Sequence, residues 1–142
     1  MQEKNICTAA GFIIYRIRND QPQILGLVAR KRFQKESNGI YDVPKGQRNE
    51  NEEPFQCALR ECREESSLVP DKVISGPYKH GKLWLWLAHC DELPVININP
   101  SVGEKEHLGY EWLSANEIIS DCLDYLRKPL MWANEQLWKL HL

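Results

Sequence analysis

The chain has no apolar run approaching a membrane span, no C-x-x-C pair, no internal repeat, no low-complexity tract and no strong excess of either charge. Each absence removes a class of protein. Without ~20 consecutive apolar residues no helix is expected to cross a bilayer, and the opening MQEKNIC lacks the basic-then-apolar order of a secretory leader. Five cysteines, Cys7, Cys57, Cys62, Cys90 and Cys122, are an odd number without metal-ligand spacing, so neither a disulfide scaffold nor a zinc site is expected. A soluble protein of a reducing, cytoplasmic compartment is the expectation. A formal net charge of −2 leaves no global positive field to recruit long nucleic acid or an anionic membrane. The 142 residues are the length of one domain, residues 1–142, with one core.

Within this plain composition one stretch stands out, Gly46 to Leu68, GQRNENEEPFQCALRECREESSL. Its second half, Pro54 to Ser66, is predicted helical, because Phe55, Ala58, Leu59 and Cys62 recur as one apolar stripe. On that helix Glu61, Glu64 and Glu65 fall at i, i+3 and i+4 and share a face pointing away from the stripe. At an effective dielectric near 20 and ~6 Å, each like-charge pair costs roughly 2–3 kcal/mol before screening. Something cationic should offset this. Arg60 and Arg63 can do so as an ordinary solvated helix face, yet that leaves the preceding chain unexplained. There Pro44-Lys45-Gly46 reads as a tight turn, and Glu52 stands six residues after Gly46 and eight before Arg60.

Gly46, Glu52, Arg60-Glu61, the apolar Cys62, Glu64-Glu65 and Leu68, at these intervals, resemble the signature of the Nudix hydrolases. One specified position departs: Ser67 stands where the family has Gly. A left-handed helix end suits Gly, so a Ser there should cost about 1 kcal/mol or alter the turn slightly. The resemblance implies an α/β fold, a Nudix-type α/β/α sandwich with a mixed sheet between helices. It also implies hydrolysis of a nucleoside diphosphate linked to another group, with Mg²⁺ or Mn²⁺ as cofactor. Implied metal ligands are Glu61, Glu64 and Glu65 with a backbone carbonyl from Lys45 or Gly46. Arg60 would orient the acids, and Glu52 would brace Arg60 through a bidentate pair, a structural role.

The rest of the chain yields a list of elements. Thr8 to Ile17 and Gln23 to Arg30 read as antiparallel strands around a turn at Asn19, Asp20 and Pro22. Arg30, Lys31 and Arg32 are basic, either a solvated strand end or a phosphate contact, and Lys31 to Asn38 reads as a surface loop. Ile40 to Pro44 is a short strand, Gln47 to Glu53 a polar loop, and Lys72 to Lys79 a weaker strand with Gly76-Pro77 marking a bulge or an edge. After a turn at His80-Gly81, Lys82 to Cys90 is a strong strand with Trp84 and Trp86 on one face and Leu83, Leu85 and Leu87 on the other. The tryptophans are either core or a stacking platform for a base. A short strand is expected at Val95 to Asn97.

Glu106-His107 followed by Tyr110-Glu111-Trp112-Leu113 is similar to the branch of the family that cleaves diadenosine tetraphosphate. That likeness makes Glu106 a candidate for the acid brought to the metal from outside the helix, against the alternative of an exposed loop acid. Candidate substrate contacts are Lys45, with Arg30, Lys79 and Lys82, for phosphate; Trp84 for a base; and Tyr41, His107 and Tyr110 around them. Ser114 and Glu117 form a capping box for a helix over Ala115 to Ser120, Asp121 to Arg127 continues helical character, and Pro129 opens a last helix in which Trp132 and Trp138 are expected to pack. Rival substrates are capped or triphosphorylated RNA ends, diphosphoinositol polyphosphates, ADP-ribose and nucleoside triphosphates. A module that binds nucleotide without catalysis is the reading of another class.

Overall fold

The structure is a computed structural model that describes residues 6–30, 39–97 and 107–140. Strand β1, Ala9–Arg18, runs into β2, Gln21–Ala29, through Asn19 and Asp20, whose φ of 53° and 63° give the turn that follows the strand twist. Pro22 lies not in the turn, as expected, but within β2 opposite Ile17. It is tolerated there because the pair next to a two-residue turn's closing pair exchanges no ladder bonds, so a missing N–H costs nothing.

β1 and β2 pair only between Tyr15–Arg18 and Gln21–Ile24, and then part. Two short strands enter the fork. β3, Tyr41–Asp42, continues along β2, and β4, Lys45–Gln47, continues along β1. The corner between them crosses Gly11, where a Cβ would strike the Pro44 carbonyl and the Lys45 side chain. The Phe12 N–H donates to that carbonyl at 3.0 Å. Pro44-Lys45-Gly46, expected as a tight turn, is therefore a corner followed by a strand. The unpaired backbone of β1 beyond the fork needs partners, and β4 supplies them.

Beyond the motif, β5, Lys72–His80, turns through Gly81 and Lys82 into β6, Leu83–His89. The pairing shifts register on both sides of Ser75, around Gly76 and Pro77, and β5 is an edge strand. β6 runs parallel to β1 at the centre, and β7, His107–Leu113, lies along the outer side of β2. The seven strands run β3-β2-β1-β6-β5, with β4 on β1 and β7 on β2.

Helix α1, Pro54–Ser66, covers one face, where Cys57, Ala58 and Cys62 pack against Phe12, Leu25, Trp86 and Ala88. Helices α2, Ala115–Asp121, and α3, Arg127–Lys139, cover the other, joining Ile118, Leu130, Ala133 and Leu137 to Leu85 and Leu87. Alternation along β6 thus feeds both layers of an α/β/α sandwich. All five cysteines are buried free thiols.

Three expectations need correction here. Val95 to Asn97 forms no strand; its polar groups bond the end of α1 instead. Asp121 to Arg127 does not continue α2. Cys122 is extended and bridges to Tyr41, the Leu123 N–H donates to the Tyr41 carbonyl at 2.9 Å, and only Asp124–Leu126 resumes a 3-10 turn. Those backbone bonds to β3 outcompete another helical turn. Trp138, expected to pack, is 68% exposed, because Leu130, Ala133 and Leu137 hold the inward face of α3.

Candidate active site

Pro54 opens α1, where its missing N–H is no loss, and the helix ends at Ser67 in the left-handed conformation with φ 65°. Between these ends Glu61 and Glu65 face the β3–β4 corner, and Glu64 lines the same cleft. Glu61 lies against Gly46, where any Cβ would collide with its carboxylate. Glu65 Oε1 accepts the Lys45 backbone N–H at 3.1 Å. Glu64, nearest the mouth, keeps a side chain 44% exposed.

Arg60 sits at the centre of this group. Its Nε and Nη2 donate to the two oxygens of Glu52 at 2.8 and 3.0 Å, a bidentate pair. Nη1 donates to Glu61 Oε1 at 2.8 Å and to Glu64 Oε2 at 3.1 Å, and Nη2 also reaches the Gln47 carbonyl at 2.8 Å. One guanidinium so spaces three carboxylates and fastens helix to loop. The hydrogen bonds from Arg60 hold the Glu52 carboxyl down at about 2, and the Arg60 charge is correspondingly secured. Arg63 takes no part in this cluster; its side chain is on the exposed side of the helix.

Across the cleft is a second cluster, and its central residue, Asp42, carries no role in the sequence reading. Lys45 Nζ lies 3.2 Å from Asp42 Oδ1, and His107 Nε2 lies 3.0 Å from Asp42 Oδ2. Burial alone would raise the Asp42 carboxyl, but Lys45 and His107 outweigh it and hold the group at about 2. Burial likewise opposes the Lys45 charge, and Asp42, Tyr125 and Glu65 more than restore it, raising that amine. The Lys45 ammonium is 5.4 Å from the centre of the Tyr125 ring, which is partly open to the cleft. An acid within the apolar run Ile40 to Val43 was the one available sign that Asp42 must be paired; Tyr125 and Asn97 gave none.

The cleft between the clusters has a volume of about 810 Å³, large enough for a nucleotide. Asp42, Lys45, Gly46, Arg60, the three glutamates, Asn97, His107 and Tyr125 all line it, with His80 and Leu83 at its far side. Other expected contacts lie elsewhere. Trp84 is on the α1 face, against the core, with Lys79 Nζ 4.1 Å from its ring centre. Tyr110 also packs on that face. Tyr41 is buried in the opposite core, and its hydroxyl donates to Glu111, a bond that pushes the phenol up to about 12. Arg30 and Lys82 do not line the cleft. Glu106, Lys31 and Arg32 lie outside the described residues.

Among the described residues no three His, Cys, Asp or Glu side chains converge as a ready-made ion cage. The donor set nevertheless suits a hard divalent ion. Arg60 engages Glu52, Glu61 and Glu64, Glu65 takes the Lys45 N–H, and the side-chain ligands these glutamates offer are all carboxylate oxygens.

Comparison with known proteins shows the family and the fold. The NUDIX domain profile matches residues 8–135. Nudix hydrolase 25 of Arabidopsis thaliana is 22% identical over 115 residues, 63% of this chain and 66% of its own length. The chain thus spans just under two thirds of that relative. Among solved structures, a binary complex of a C. elegans Ap4A hydrolase superposes with a TM-score of 0.68 at 19% identity, over 94% of this chain and 99% of that one. The NUDIX domain of Shewanella oneidensis NrtR, complexed with ADP ribose, gives 0.63 at 14% identity over 96% and 89%.

Proposed function

The chain belongs to the NUDIX family, and from that premise we propose that it is a metal-dependent pyrophosphohydrolase, most closely suited to asymmetric cleavage of a dinucleoside polyphosphate such as diadenosine tetraphosphate into a nucleoside triphosphate and a monophosphate. The observation that carries the reading is the single-guanidinium clasp: Arg60 spacing Glu61 and Glu64 at 2.8 and 3.1 Å on the wall of a nucleotide-sized cleft. Glu61, Glu64 and Glu65, with a backbone carbonyl from Lys45 or Gly46, would hold Mg²⁺ or Mn²⁺. When bound, such an ion neutralises phosphate charge and lowers the pKa of water.

The chain's own groups do the remaining work. Arg60 keeps the glutamates apart and aimed, so little reorganisation is needed at the moment of reaction. A glutamate not engaged as ligand accepts the proton of the attacking water; Glu106 remains the candidate from outside α1. Lys45, kept cationic by Asp42, offers positive charge to phosphate oxygens in the cleft. Tyr125 presents the aromatic face that Trp84 does not, and supports recognition of a base. The Ap4A hydrolase likeness supports this substrate class.

The test is to incubate purified protein and Mg²⁺ with diadenosine tetraphosphate, ADP-ribose, capped RNA, a diphosphoinositol polyphosphate and nucleoside triphosphates, resolving products by anion exchange. ATP and AMP from the first, in equal amounts and faster than products from the others, are expected. Retention of intact nucleotide without turnover would instead support the binding-module reading, which the NrtR domain complexed with ADP ribose keeps in view.

A further inference from the structure

The last turn of α1 has an unusual load: Glu64 and Glu65 lie next to the negative end of the helix dipole, which disfavours them. The final carbonyls of a helix also lack partners within it. Each must be met from outside, or the turn frays. The Ser67 N–H takes the Arg63 carbonyl at 2.9 Å, and the Val95 N–H takes that of Ser66 at 2.8 Å. The Glu64 carbonyl accepts from Asn97 Nδ2 at 2.9 Å.

Asn97 in turn is held by Ser67. Its Nδ2 donates to Ser67 Oγ at 3.0 Å, while Ser67 Oγ donates to the Val95 carbonyl at 3.1 Å. The carbonyl acceptors fix which end of the amide carries nitrogen, since a carbonyl can only accept. Ser67 is left-handed, φ 65°, a conformation that glycine reaches with less strain. A glycine would satisfy the backbone but would leave Asn97 Nδ2 and the Val95 carbonyl without the hydroxyl, one of the bonds that fasten this segment to α1. The side chain, absent from the family signature at this position, is therefore in use.

We propose that Ser67 and Asn97 act together as positioning residues, holding the turn that carries Glu64 and Glu65 in register with Gly46 for a divalent ion. The inference rests on the hydrolase reading above, and its test separates the two. Mn²⁺ binding is measured by calorimetry on the full chain, without substrate, for wild type, Ser67→Gly, Asn97→Ala and the double variant, alongside thermal melting. Ser67→Gly is expected to melt close to wild type, because relief of backbone strain at φ 65° offsets the lost hydroxyl bonds, and yet to bind Mn²⁺ ~10-fold more weakly, within the range of effects of outer-shell partners. Asn97→Ala should weaken Mn²⁺ similarly, and the double variant should lose little more than either alone, as for residues acting as one unit. Lost hydrolysis should return as Mn²⁺ is raised, with kcat recovered.

A clasp that merely stabilised the fold would lower melting and leave Mn²⁺ affinity unchanged. Variants that bind Mn²⁺ as wild type does, or whose losses add in full, overturn the inference alone. A wild-type chain that binds no Mn²⁺ overturns the hydrolase reading and this inference with it.

Discussion

Arg60 and Glu52 meet through two parallel hydrogen bonds of 2.8 and 3.0 Å, and the same guanidinium reaches Glu61 and Glu64. A lysine can reproduce the charge but not the fork. Arg60→Lys should therefore lower turnover by ~10- to 100-fold, through loss of aim at both glutamates. Stability should fall by about 1–3 kcal/mol, read from the denaturant midpoint. Unchanged turnover in a folded variant would remove Arg60 from the machinery.

Glu64→Gln and Glu65→Gln keep size and hydrogen-bonding capacity while deleting a charge. Each is expected to cut hydrolysis by at least ~100-fold at saturating substrate, with melting temperature little changed, because both side chains sit at the cleft and not in a core. Near-normal rates from both purified variants would refute the assignment of ligands.

Gly46→Ala tests the contact with Glu61. The three atoms nearest the new methyl group would all belong to the Glu61 carboxylate, which Arg60 Nη1 also holds at 2.8 Å. The side chain should swing aside and give up the Arg60 bond, so that hydrolysis falls by ~10-fold or more and stability by no more than about 1–3 kcal/mol. A large loss of stability would mean that Glu61 is fixed by something stronger than its place against the strand.

Acid should weaken the fold in a defined window. Asp42 and Glu52 have carboxyls held at about 2, against ordinary values of 3.8 and 4.5. Below about pH 4.5 the unfolded chain takes up protons that the folded one refuses, so stability present above that pH is lost progressively toward pH 2. Thermal melts from pH 6 to pH 2 should show this decline. Glu52→Gln should flatten its upper part, and an unaltered slope would count against the Arg60 pair as the cause.

Much of this was legible in the sequence, for reasons that differ by element. Helix α1 runs from Pro54 to Ser66 as expected because its stripe, its proline and the left-handed residue after it all act locally. The two faces of β6 were readable because period-2 alternation survives burial on both sides. The β3–β4 corner was not, since what decides between turn and strand at Lys45–Gln47 is the parting of β1 from β2, a distant event. For the same reason the cleft wall was half seen: the family pattern points to the glutamates, while Asp42 and Tyr125 come together only through the fold. Trp84 illustrates the converse, a residue with the right chemistry on the wrong face of the sheet.

Cys122 and Leu123 fasten the link between α2 and α3 to Tyr41, two residues from the end of the segment that turns toward Lys45. Helix α1 and this stretch are some sixty residues apart in the sequence, yet Leu123 and Tyr125 line the same cleft as the glutamates of α1. A shortened protein ending after β7 would retain all three acids of α1 and lose Leu123 and Tyr125 from the cleft wall. Substitutions in that far stretch can thus reshape one wall of the cleft without touching the acids at all.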